Sequence, residues 1–182
     1  KGYEYTSTIY EMRYFEDQEK LSLFLGRFLE VLAKSKTRQH NAQIFCEHTP
    51  GNGCESKFIA SAFPNSCLIW ISRNPADVAL SYRDQDWSPK NLEAICEMLK
   101  SQYTVWERDK KELDKLGYSY LEIKIEDLTQ NPKDILQKIF KLADLEANVP
   151  DVSHLTATRH AGNRSITAEE TEVIRNYFPD AI

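Results

Sequence analysis

The chain has 182 residues, 41% apolar and 28% charged, which is ordinary globular usage and excludes a disordered or fibrous chain. Its 23 Lys and Arg against 28 Asp and Glu leave a net charge of −5 with no basic tract, which excludes duplex nucleic acid as the main partner. The longest apolar runs are about five or six residues, far below the ~20 needed to cross a bilayer, and no secretory signal pattern opens the chain.

Residues 1–16 are aromatic-rich, but Tyr3, Tyr5, Tyr10, Tyr14 and Phe15 keep no single period. From Gln18 to Lys34, Leu21, Phe24, Leu25, Phe28, Leu29 and Leu32 recur at three and four, which predicts an amphipathic helix. Ser35–Asn41 reads as a loop. The apolar run Ala42–Cys46 predicts a buried strand leading into the Glu47–Gly53 loop. Residues 54–62 suit a short helix, and Phe63-Pro64-Asn65 a turn.

Cys67–Ser72 (CLIWIS) is the strongest strand, a continuous apolar run suited to a parallel strand buried on both faces. Pro75 fits the first position of a following helix. Ser88 and Pro89 read as the N-cap and first residue of a long helix to Leu116, with Gly117 closing it. Tyr118–Ile123 is a third strand. Asn131-Pro132 opens another helix. Thr167-Ala168-Glu169-Glu170 is a capping box for a last helix ending near Phe178. Alternating strands and helices predict an α/β fold, a parallel sheet covered by helices. Three strands are few for such a sheet.

Cys46, Cys54, Cys67 and Cys96 form no C-x-x-C pair and have no His at zinc spacing. They read as free, packing cysteines of a reducing cytoplasm. No cluster of His and carboxylates calls for a metal.

The segment with chemical content is Cys67–Tyr82. Ligands of open parallel sheets sit beyond the carboxyl ends of the strands, where Arg73 falls. Its planar fork of donors suits a phosphate, the next helix offers N–H groups, and Ser81 adds a hydroxyl two turns in. By residue type alone, a surface Arg and an ordinary helical Ser are the simpler reading. Asp77 reads as support for the helix start, and Glu126-Asp127 as a loop and capping feature.

Ile71-Ser72-Arg73-Asn74-Pro75-Ala76-Asp77-Val78-Ala79-Leu80-Ser81-Tyr82 resembles the 3′-phosphate motif of the sulfotransferase family, whose sulfuryl donor is 3′-phosphoadenosine 5′-phosphosulfate (PAPS). Three further segments agree. Glu47-His48-Thr49-Pro50-Gly51-Asn52 resembles the family's Glu-Lys-Thr-Pro-x-Asn loop. Phe63-Pro64 stands where members carry Phe-Pro. Leu121–Leu128 with Asn131-Pro132 resembles the family's Glu-Asp-Leu-x-x-x-Pro segment. The resemblance covers roughly residues 42–145. It implies a P-loop-like α/β fold, PAPS as co-substrate, no metal, and donor 3′-phosphate binding by Arg73 and Ser81.

Two departures stand out. The family's Gly-rich 5′-phosphosulfate loop is not seen; Gly51–Lys57 is rejected as that loop because Glu55 would face an anion and the next strand follows too closely. The chain also opens at Lys1 without a Met. Together these lead to the expectation of one domain, 1–182, lacking its N-terminal strand, loop and helix. The second departure is His48, where carbohydrate-type members have Lys. Cytosolic members have Thr-His-Leu-Pro with the His as base, and His48-Thr49-Pro50 keeps that spacing. His48 is the favoured base, with Glu47 the alternative. Arg159 and Arg164 resemble a late basic stretch that also grips the 3′-phosphate. The resemblance implies a small-molecule or carbohydrate acceptor carrying a hydroxyl or amine.

The rival reading is a non-catalytic nucleotide-binding or interaction module on a degraded sulfotransferase fold. A small-molecule kinase is disfavoured, since no G-x-x-x-x-G-K-[ST] loop occurs.

Overall fold

The computed structural model describes residues 18–42, 44–146, 149–152 and 165–181. The chain divides into two compact units, Lys1–Ser66 and Cys67–Ile182.

In the first unit, helix α1 spans Gln18–Gln39, so the predicted loop from Ser35 is helical as far as Gln39. A 3₁₀ turn, Pro50–Glu55, runs into helix α2, Ser56–Ala62. The two α-helices meet through small residues. Ser22 and Gly26, four apart on α1, are buried, and Ser56, Ala60 and Ala62 are buried on α2. A Cβ at Gly26 would lie 2.0 Å from the Ala62 carbonyl oxygen, so only glycine admits this approach. The predicted Leu/Phe stripe is not the face that α2 covers: Phe24, Phe28, Leu29 and Leu32 are all exposed.

The predicted strand Ala42–Cys46 does not form. Residues 44–49 have no regular structure, and Ile44, Phe45 and Cys46 are exposed. A strand needs a ladder partner, and the described residues of this unit contain no other strand.

The second unit is built on two parallel strands, β1 (Leu68–Ser72) and β2 (Tyr120–Lys124), paired Leu68↔Tyr120 through Ser72↔Lys124. Between them lie α3 (Pro75–Arg83) and α4 (Leu92–Leu116), the helical crossover that parallel pairing requires. After β2 come α5 (Ile125–Gln130), α6 (Pro132–Leu142) and α7 (Ala168–Tyr177). The fold is α/β, helix-rich over a small parallel sheet. The chain's two best helix-end signals act as their sequences predict. Gly117 takes φ 63° and its N–H bonds the Asp114 carbonyl, while Tyr118 N–H bonds Leu113. Thr167 and Glu170 close a full capping box.

Three details differ from the sequence-based expectation. Helix α4 starts at Leu92, capped by the Asn91 side chain on the Glu93 N–H, 2.9 Å. Asn caps as well as Ser, and Ser88 is instead turned inward in a bend closed by its N–H on Gln85. Glu126-Asp127, read as a loop and capping feature, lie in the first turn of helix α5, where carboxylates are favoured. Strand β1 is not buried on both faces. Trp70 stacks on Trp106 of α4, centroids 4.7 Å apart and rings within 5° of parallel, so α4 covers one face. On the other, Ile71 is 56% exposed although its register partner Ile123 is 3% exposed. The second face is therefore closed over β2 and open over β1.

The core of the unit gathers Ala76, Ala79 and Leu80 of α3, Ile95, Cys96 and Leu99 of α4, and Ile174 of α7. Cys96 is buried, which pushes its thiol pKa up. None of the four cysteines is in a disulfide.

Candidate donor-binding site

Strands β1 and β2 end side by side at Ser72 and Lys124. The chain that leaves β1 there is Arg73-Asn74-Pro75. Arg73 is half-buried and turns back along α3. Its Nε and Nη2 both donate to Asp77 Oδ2, at 3.2 and 3.0 Å. Ser81 follows Asp77 by four residues and is half-buried. Asp77 and Ser81, four apart within α3, share one face of the helix, and Arg73, which precedes the N-cap, reaches Asp77 from outside it. Arg73 Nη1 is not used in this pairing. An anion approaching Arg73 would thus meet a guanidinium already oriented by a carboxylate, with part of its fork still open.

The start of α3 offers fewer free donors than its sequence suggests. Pro75 has no N–H. The Ala76 N–H is taken by Asn74 Oδ1 at 2.9 Å, an N-cap. The Asp77 N–H is left as the first-turn donor without a partner among the described residues. The Asn74 amide also donates to the Ala181 carbonyl, 3.0 Å. Two residues invisible to the motif complete the turn. Tyr103 of α4 donates its hydroxyl to the Arg73 carbonyl, 3.1 Å, and Glu126 Oε1 of α5 accepts the Asn74 N–H, 3.0 Å. The desolvated Tyr103 phenol, with Glu126 adding repulsion, has a raised pKa and stays a donor. Pro75 also borders an open groove of about 720 Å³ floored by Tyr103, Tyr177 and Phe178, a volume suited to a small ligand.

The Glu47–Thr49 segment belongs to the first unit. Glu47 accepts from the Thr49 N–H, 2.9 Å, and from the Thr49 hydroxyl. These bonds from Thr49 hold the Glu47 carboxyl below the usual carboxylate range, with smaller help from His48. His48 is exposed. Arg159 and Arg164 lie outside the described residues. Among the described residues, no group of three His, Cys, Asp or Glu side chains is arranged to hold a metal, and no helix is long and apolar enough to cross a membrane.

Residues 3–151 match the model of the sulfotransferase family. The chain belongs to the sulfotransferase family. The matched range takes in both the His48 loop and the Arg73 turn. No curated protein and no solved structure matches it. Sequence reasoning missed Tyr103, and read Glu126 with Asp127 as a loop and capping feature rather than as a partner of the Arg73–Asn74 turn. For Glu126 a signal existed: two parallel strands end together, and Glu126 stands two residues past β2 as Asn74 stands two past β1. Tyr103 carried no such signal.

Proposed function

We propose that this sulfotransferase takes PAPS as donor and moves its sulfuryl group to a hydroxyl or amine of a small-molecule or carbohydrate acceptor. Arg73 and Ser81 bind the donor's 3′-phosphate. Arg159 and Arg164 add cationic grip to the same phosphate, and the groove beside Pro75 offers apolar surface for a nucleoside. In the transfer, the acceptor oxygen or nitrogen forms a bond to sulfur as the bond from sulfur to the 5′-phosphate oxygen breaks. 3′-Phosphoadenosine 5′-phosphate leaves, and the acceptor proton goes to a base. His48 is that base, because imidazole is the side-chain type best suited to taking a proton at neutral pH. Glu47 is the poorer candidate, since Thr49 stabilises its charged form. Four cysteines outside any disulfide favour a reducing, cytoplasmic setting.

The observation that carries this reading is Arg73 at the carboxyl end of β1, its guanidinium held by Asp77 of α3. Calorimetry with 3′-phosphoadenosine 5′-phosphate tests it. Arg73→Ala is expected to weaken binding at least tenfold, the loss of a charge-assisted phosphate contact. Equal affinity in the variant overturns the reading. His48→Ala should keep that affinity and lose most turnover; unchanged turnover removes His48 as base.

A further inference from the structure

The polar contacts at the end of β1 converge on a single peptide group. The carbonyl of Arg73 and the N–H of Asn74 belong to the same peptide plane. Tyr103 donates to the first at 3.1 Å, and Glu126 accepts from the second at 3.0 Å. The two side chains come from different elements, α4 and α5, 30 and 52 residues away in sequence. A planar peptide gripped at both its poles cannot rotate about its flanking bonds without breaking one grip. The plane in turn fixes where Arg73 leaves the sheet and where Asn74, at φ −48° and ψ 119°, caps α3.

Glu126 also extends the sheet. The register runs to Ser72↔Lys124, and one further alternation brings Asn74 opposite Glu126. There the backbone ladder has ended because α5 has begun, and a side-chain carboxylate supplies the acceptor. This carboxylate costs the donor site something, for it sets a negative charge beside a proposed phosphate site.

We propose that Tyr103 and Glu126 are positioning residues of the donor site. They clamp the Arg73–Asn74 peptide so that the Arg73 guanidinium is presented to the 3′-phosphate in one orientation. The inference rests on the assignment of Arg73 to that phosphate.

The test is calorimetry on the full chain with two probes, 3′-phosphoadenosine 5′-phosphate and adenosine 5′-phosphate, which lacks the 3′-phosphate. Glu126→Ala and Tyr103→Phe should each weaken the first probe about three- to tenfold, the worth of one hydrogen bond, and leave the second unchanged. Glu126→Gln keeps a carbonyl acceptor and removes the charge, and should bind the first probe at least as tightly as the parent does. In an Arg73→Ala background, Glu126→Ala should cause no further loss. Hydrogen exchange of the Asn74 amide should quicken in Glu126→Ala and stay slow in Glu126→Gln. Equal losses on both probes, or no loss on either, overturn the clamp while leaving the Arg73 assignment standing. So does a Glu126→Gln variant as weak as Glu126→Ala. If Arg73→Ala itself binds as the parent does, the assignment falls and the clamp's role falls with it.

Discussion

The Glu47–Thr49 loop and the Arg73–Asn74 turn carry two of the motifs of this chain, and they are held in opposite ways. In the loop, the described ties are local, from Thr49 to Glu47 and from the Asn52 N–H to the Thr49 carbonyl. In the turn, the ties reach Tyr103, Glu126 and Ala181, 30 to 107 residues away. The loop's geometry is a local turn that the backbone adopts by itself. The turn's geometry exists only when α4, α5 and the chain end have assembled. A motif of the first kind tolerates changes elsewhere in the protein; one of the second kind reports on the whole unit.

That contrast can be broken in order of size. Trp106→Ala removes the ring on which Trp70 of β1 stacks and should cost about 3–5 kcal/mol, lowering the urea midpoint and the affinity for 3′-phosphoadenosine 5′-phosphate together. Asn74→Ala deletes the α3 cap and the tie to Ala181 and should cost about 1 kcal/mol, again with loss of affinity. A stable variant that keeps full affinity would show that the turn does not depend on its distant ties. Acid should act next. Thr167 and Arg83 hold the Glu170 carboxyl below its ordinary pKa, so its stabilising share is complete above the unfolded value of ~4.3. That share is lost as pH falls through the lower folded value. The melting temperature should drop by a few degrees between pH 6 and pH 3, and by less in Glu170→Gln. The smallest effect belongs to the loop. Thr49→Ala should leave the melting temperature unchanged while the Glu47 pKa rises toward the ordinary range, read by NMR titration. A clear loss of stability there would mean the loop, too, is tied at a distance.

The same contrast sorts what was legible in the sequence. Gly117, Pro132 and the Thr167–Glu170 box each mark a helix end through residues a few positions apart, and each marks it correctly. The motif order identified the family and put Arg73 at a strand end. Ala42–Cys46 failed because an apolar run says nothing of whether a neighbouring strand exists. The burial of β1 on both faces failed for the same reason, since Ile69 and Ile71 are left exposed. On α1 the eye follows Leu and Phe, whereas Gly26 decided which face α2 meets: Gly26→Ala would drive a Cβ into the Ala62 carbonyl.

The three tryptophans divide the optical signal of the chain. Trp70 and Trp106 lie face to face with Trp106 bonded to Glu122 at 2.7 Å, close enough for their transitions to couple. Trp87, 66% exposed in the bend before α4, stands apart from that stack. Circular dichroism from the stacked pair follows whether β1 is seated on α4, and red-shifted emission from Trp87 follows the bend, so one unlabelled sample carries separate gauges of the sheet and of the loop beside it.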